Sequence, residues 1–192
     1  MAKTSNLAKH TSKNPLKRFF LNNFENNLVS VAAPLNSLRI LDAGCGEGFT
    51  LAKLYELKIG KELAGIDYSK IAIDTAKEIF PYLNVKVGDI YKLPFKEDSF
   101  DLVICTEVFE HLDNPVGALK EIERVTSKYA LITVPNEPWF VLSNFTQWGK
   151  NIGHINHWTS STFKKFIERN SGFKIISVKH PFPWTMILAE KI

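Results

Sequence analysis

The sequence predicts an α/β fold: a doubly wound sheet of about seven strands, mostly parallel, with helices on both faces and an antiparallel C-terminal hairpin. Three observations predict it. Strand-like runs alternate with helical patterns from residue 38 onward, the mark of a parallel sheet covered on both sides. The run from Phe100 to Cys105 is almost continuously apolar, as in a strand with no solvent face. Only His180 to Pro183 separates the last two strand-like runs, which is too short for a helical crossover and asks for an antiparallel turn.

The elements follow in order. Residues 15–32 read as a helix with Leu16, Phe19, Phe20, Phe24 and Leu28 on one side. Leu38 to Leu41 is a strand entering Asp42, and Thr50 to Leu57 a helix carrying Leu51, Leu54 and Tyr55. Leu63 to Ile66 is the second strand; Ser69 then caps a helix whose stripe is Ala72, Ala76, Ile79 and Phe80, because a serine hydroxyl satisfies a free N–H of the first turn. Val85 to Val87 is the third strand and Phe100 to Cys105 the fourth. Asn114-Pro115 opens a helix as cap and first-turn proline, followed by Val116, Leu119, Ile122 and Val125 at helical spacing. Tyr129 to Val134 is the fifth strand, and Phe173 to Val178 with Trp184 to Ala189 form the hairpin. In such a sheet ligands bind outside the carboxyl ends of the strands, next to the first strand.

The chain has 192 residues, 45% hydrophobic, 12% aromatic and 23% charged. This excludes a disordered chain, and no apolar run approaches the ~20 residues of a membrane span. One domain is expected, with a basic segment and helix at 1–37, a binding core at 38–134, an aromatic loop at 135–159, and a helix and hairpin at 160–192. The polar start, Met1 to Asn14, lacks a signal-peptide core, so a soluble, cytoplasmic protein is the expectation. Cys45 and Cys105 offer no disulfide framework and read as small buried residues. The net charge of +4 is uneven. Residues 1–39 carry six Lys/Arg and one acid, 40–149 eleven and seventeen, and 150–192 seven and two.

The strongest signal is Ile40-Leu41-Asp42-Ala43-Gly44-Cys45-Gly46-Glu47-Gly48. A strand ends in an acid, and alternating glycines then let the backbone turn and a ligand approach it. Asp67 closes the second strand, with Tyr68 beside it, near the spacing at which an acid meets ribose hydroxyls. A phosphate would want a helix N-terminus free of negative charge, yet Glu47 stands there and no Lys-Ser/Thr follows. An adenosine ligand with a cationic centre, such as S-adenosylmethionine, fits these carboxylates better.

With these motifs in order, the chain resembles the class I S-adenosylmethionine-dependent methyltransferases, in particular the small single-domain type like the ubiquinone and menaquinone methyltransferases. The resemblance covers roughly residues 38–190. Beyond the glycine loop it runs through Gly88-Asp89-Ile90, Leu93-Pro94-Phe95, Ser99 to Ile104, and Glu107-Val108-Phe109-Glu110-His111-Leu112. It implies a Rossmann-like fold and S-adenosyl-L-methionine as cofactor. It also implies that Asp67 holds the ribose, Asp89 and Ile90 the adenine, and that Asp42, Gly44, Cys45, Gly46 and Thr106 surround the methionine part.

Glu107 and His111 follow the fourth strand and are the catalytic candidates. A histidine is suited to general-base work near neutral pH, although methyl transfer needs little beyond positioning. Packing or capping is a second reading of the segment. The third is a divalent cation held by Glu107, Glu110 and His111, as the Glu-x-x-Glu-His pattern resembles that of ubiquinone-pathway and small-RNA methyltransferases, with His154 or His157 completing it. The stretch from Pro135 to Trp158 is expected to form a short helix near 139–149 and a substrate loop carrying Trp139, His154, His157 and Trp158; a plain hydrophobic cover is the alternative. The acceptor is expected to be a small molecule methylated on oxygen or nitrogen, and an anionic one, since Lys13, Lys17 and Arg18 at one end and Lys150, Lys164 and Lys165 at the other would border the site. A nucleic-acid acceptor and a non-catalytic binding subunit are the rival readings. Oligomeric state is not legible.

Overall fold

The computed structural model describes residues 5–137 and 154–192. The seven strands are β1 (Arg39–Ala43), β2 (Glu62–Asp67), β3 (Asn84–Val87), β4 (Phe100–Thr106), β5 (Thr126–Pro135), β6 (Phe173–Lys179) and β7 (Trp184–Lys191). Their order across the sheet is β3-β2-β1-β4-β5-β7-β6. The first five run parallel, and β7 lies antiparallel to both β5 and β6. The order reverses between β1 and β4, which opens a crevice at their carboxyl ends.

Side-chain alternation along the strands builds two cores. Leu41, Ala43, Val103, Cys105, Ala130, Ile132, Ile187 and Ala189 face one side; Ile40, Leu102, Ile104, Leu131, Met186 and Leu188 face the other. A strand points successive residues to opposite faces, so apolar residues at consecutive positions require cover on both. Helices α5 (Pro115–Val125) and α6 (Ser160–Asn170) cover the first face through Leu119, Ile122, Phe163 and Ile167. Helix α2 (Pro15–Ala32) covers the second through Phe24, Leu28 and Val31. Helices α3 (Phe49–Glu56) and α4 (Lys70–Ile79) bury Leu51, Ala52, Ile73 and Ala76 beside Val85.

The capping logic holds at named atoms. Asn14, Ser69 and Asn114 each accept from a backbone N–H of the first turn of α2, α4 and α5. Helix α6 has a full capping box between Thr159 and Thr162. Strand β5 begins at Thr126, three residues before the apolar run that announces it. The chief departure is at the start of the chain, where α1 (Ser5–His10) forms within the polar segment. Both cysteines are buried. The expected helix near 139–149, with Trp139 and Lys150, lies outside the described residues. No described helix is long and apolar enough to cross a membrane.

Candidate active site

The turn after β1 is built by main-chain bonds to its neighbour. Gly44 and Cys45 N–H both donate to Ile66 O, at 2.7 and 3.0 Å. Gly46 N–H donates to Asp67 Oδ2 at 2.8 Å and Ser69 N–H to Oδ1 at 2.8 Å. Asp67 therefore ties the glycine turn to the end of β2 while keeping one further lone pair on each oxygen for a ligand. Gly44 has φ +87°, and a Cβ there would fall on Val108 Cγ2; only glycine lets the turn pass under the loop after β4.

The cleft formed here has a volume of about 1090 Å³. Gly44, Cys45, Gly46, Asp67 and Tyr68 line it from β1 and β2, Asp89 and Ile90 from the loop after β3, and Thr106, Glu107 and His111 from the end of β4. Asp89 Oδ1 accepts from Tyr91 N–H at 2.9 Å, which fixes its turn, and Tyr68 is 86% exposed. Asp42 stands behind the turn, 1% exposed. Its Oδ1 has no hydrogen-bond partner among the described residues. Burial, reinforced by Asp67, raises its pKa to about 8. Burial and the nearby acids also push both thiols up, so neither is a nucleophile.

Across the cleft, Glu107 has φ +55°, a conformation rare outside glycine and typical of functional turns. Trp184 Nε1 donates to Glu107 Oε1 at 2.7 Å, and Lys9 of α1 pairs with Oε2. Burial works against the charge, but Lys9 and these hydrogen bonds outweigh it and hold the carboxyl below its usual range. Helix α1 lies over the cleft by two more contacts: Asn6 Nδ2 donates to Glu47 Oε2 at 2.5 Å, and His10 stacks on Phe49 at 3.9 Å. Burial first, and then Lys9, lowers the His10 pKa to about 4, so it is neutral at pH 7. Nothing in the polar segment's own pattern foretold α1; its partners lie 41 and 98 residues away in sequence.

Of the histidines, His111 is exposed and meets the ring of His154 edge-on at 5.1 Å. Glu137 Oε1 faces His154 Nδ1 at 3.3 Å and His157 Nδ1 at 3.4 Å. Burial lowers the His154 pKa despite Glu137. Burial, and then Glu107, pushes the Glu110 carboxyl well above its usual range.

The structure corrects four expectations. Trp158 packs on Phe163 and Phe166 at 5.2 and 4.9 Å, against the core and not in the cleft, because its indole fills the gap between α6 and the sheet. His157 points to Glu137 and is absent from the cleft lining, whereas His154 reaches it. Lys164 and Lys165 sit on α6, away from the cleft; Lys9, Lys17 and Lys53 are its described lysines. Glu107 also stands apart from the donor set Glu110, His111 and His154, whose ligand atoms lie within 4.8 Å of one another.

A sheet of this order, with a glycine turn after its first strand and an acid closing the second, is the fold of the class I S-adenosylmethionine-dependent methyltransferases. Comparison with known proteins agrees. The family profile described as a methyltransferase domain matches residues 41–133. An uncharacterized methyltransferase of Schizosaccharomyces pombe is 36% identical over 99 residues, covering 46% of this chain and 36% of that protein. The crystal structure of a Pyrococcus horikoshii protein superposes with a TM-score of 0.76 at 19% identity, over 94% of this chain and 93% of the other. Magnesium protoporphyrin IX methyltransferase from Synechocystis, solved with bound S-adenosylhomocysteine, gives 0.70 at 18% identity, over 94% and 89%. The chain spans about a third of the length of the first curated relatives it matches. The domain matched over residues 41–133 is that of a methyltransferase, a class whose cofactor is S-adenosylmethionine.

The residues fit that cofactor: behind the glycine turn Asp42 keeps a buried Oδ1 with no hydrogen-bond partner among the described residues, which suits its cationic end, and Asp67 at the rim suits a diol. Asp67→Ala is expected to weaken cofactor binding by roughly 1.5–3 kcal/mol, the worth of hydrogen bonds to a charged group. Calorimetric affinity equal to wild type, with an intact fold, contradicts this role.

Proposed function

We propose that the chain transfers the methyl group of S-adenosylmethionine to an oxygen or nitrogen of a small-molecule acceptor. The observation that supports this reading is that Asp67, Asp89, Glu107 and His111 line one cleft. Asp67 would hold the ribose, Tyr68, Asp89 and Ile90 would frame the adenine, and Asp42, Gly44, Cys45, Gly46 and Thr106 would enclose the methionine part. The cofactor supplies an electrophilic methyl carbon: the acceptor's lone pair forms the new bond as the carbon–sulfur bond breaks, with sulfur keeping its electron pair. The ionised Glu107 would orient the acceptor. His111 would accept the proton that the acceptor loses, backed by His154 and Glu137. Lys9, Lys17 and Lys53 at the cleft favour an acceptor with a phosphate or carboxylate, drawn in by their field.

A second reading rests on one observation. Glu110, His111 and His154 converge within 4.8 Å, and Glu110 Oε2 is buried without a partner among the described residues. A divalent cation would satisfy all three.

The test is methyl transfer from labelled cofactor into separated metabolite, RNA and protein fractions. Label is expected in the metabolite fraction, and label confined to RNA or protein overturns the acceptor class. His111→Ala is expected to lower turnover by about 10²-fold with cofactor affinity unchanged, the usual worth of a positioned base. Full activity of that variant removes His111 from both readings. Loss of activity on chelation, with recovery on added Mg²⁺, Mn²⁺ or Zn²⁺, selects the second.

A further inference from the structure

We infer that the N-terminal end of α2 docks the protein on the surface of an anionic phospholipid bilayer. Helix α2 buries one face against the sheet through Phe24, Leu28 and Val31, but its first turns leave apolar side chains in water. Leu16 is 58% and Phe19 65% exposed, and their i, i+3 spacing puts them on one side of the helix. Phe20 continues the strip, ring to ring with Phe19 at 5.7 Å and with Phe182, in the turn before β7, at 5.5 Å. Phe182 is itself 47% exposed. A contiguous exposed apolar patch with a polar rim marks an interaction site. Cations supply the rim: Lys13 and Arg18 are both exposed. Residues 1–24 hold five Lys/Arg and no acid, and the first acid of the chain, Glu25, faces His10.

The chemistry of the patch selects its occupant. Apolar side chains flanked by lysine and arginine are the make-up of a helix end that lies in a bilayer interface, where burial of the apolar side chains and attraction to anionic headgroups add. A nucleic acid would satisfy the cations, but single strands are held by stacking on open ring faces. Here the rings cross at 68° and 52°, beside an aliphatic leucine. A second copy of the chain would bring the same cations against these. An anionic lipid surface answers both halves of the patch. No described helix is long and apolar enough to cross a membrane, so this attachment is peripheral. Lys17, Phe20 and Phe182 also line the cleft, and docking therefore sets the mouth of the cleft against the headgroup layer.

The experiment is co-sedimentation of the chain with vesicles of phosphatidylcholine alone and of equal parts phosphatidylcholine and phosphatidylglycerol. Wild type is expected to bind the mixed vesicles at least about 10-fold more tightly, with the difference shrinking as salt screens the headgroups. Leu16→Gln with Phe19→Gln is expected to weaken binding to the mixed vesicles at least about 10-fold, through lost apolar burial. Lys13→Gln with Arg18→Gln is expected to weaken it about 10-fold, through lost attraction. All four positions are exposed, and a circular-dichroism spectrum equal to wild type checks the fold of each variant. Should a variant misfold, the two vesicle types and the salt series on wild type still decide. Absence of wild-type binding to the mixed vesicles, equal binding to both vesicle types, or binding that either pair of substitutions leaves unchanged overturns the inference. Capture of a single-stranded RNA oligonucleotide, or self-association, that depends on the patch and replaces vesicle binding also overturns it.

Discussion

Asp42→Asn is expected to stabilise the unliganded protein by roughly 5 kcal/mol at pH 8 while weakening its hold on the cofactor. The sign follows from the direction of the shift. An ordinary aspartate titrates near 3.9 in the unfolded chain, and burial beside Asp67 raises Asp42 to about 8 in the folded one. The folded state thus binds this proton more tightly. The group costs nothing below about pH 4, its penalty grows as pH rises from 4 to 8, and it levels off above, at about 1.4 kcal/mol per unit of difference. Chemical denaturation across pH 4–9 should show the wild-type unfolding free energy falling through that window relative to the variant. Parallel curves would mean that Asp42 is solvated or paired. A buried, costly acid fits a fold that keeps stability in reserve for a cationic ligand.

Gly44→Val is expected to remove cofactor binding and lower stability by roughly 2–6 kcal/mol. The backbone at φ +87° is closed to a β-branched residue at ~1–3 kcal/mol. The added atoms meet Val108, and overpacking of that kind costs a further ~1–3 kcal/mol. Gly44→Val with Val108→Ala should recover part of the stability, as the clash is relieved, but not the dihedral term. An unfolding midpoint for Gly44→Val equal to wild type contradicts this account of the turn.

Much of the fold was legible because it rests on local rules. Two-sided apolar strands announced the covered sheet, and Ser69 and Asn114-Pro115 marked helix starts that the structure reproduces. The glycine turn and Asp67 were legible because their spacing reflects a main-chain requirement. What escaped depends on distant partners. Helix α1 has no periodicity to read, and its contacts to Glu47, Glu107 and Phe49 exist only once β1 and β4 are adjacent. Trp158 looked like a substrate residue because an aromatic in a loop carries no label for core or cleft. Phe20 and Phe24 looked like plain core for the same reason, although both line the cleft. The gathering of Glu110, His111 and His154 was legible in part: the Glu-x-x-Glu-His pattern named Glu110 and His111 and offered His154 or His157 to complete them, but a partner more than 40 positions away could be chosen only by the fold.

The account's central claim is that the cleft between β1 and β4 holds S-adenosylmethionine against the Asp67 carboxylate. Its most direct test is calorimetric titration of S-adenosylmethionine and S-adenosylhomocysteine into wild type, Asp67→Ala and Gly44→Val. The account predicts saturable binding of one cofactor per wild-type chain, weakened in Asp67→Ala and lost in Gly44→Val. Absence of binding to folded wild type, or binding that both substitutions leave intact, would contradict it.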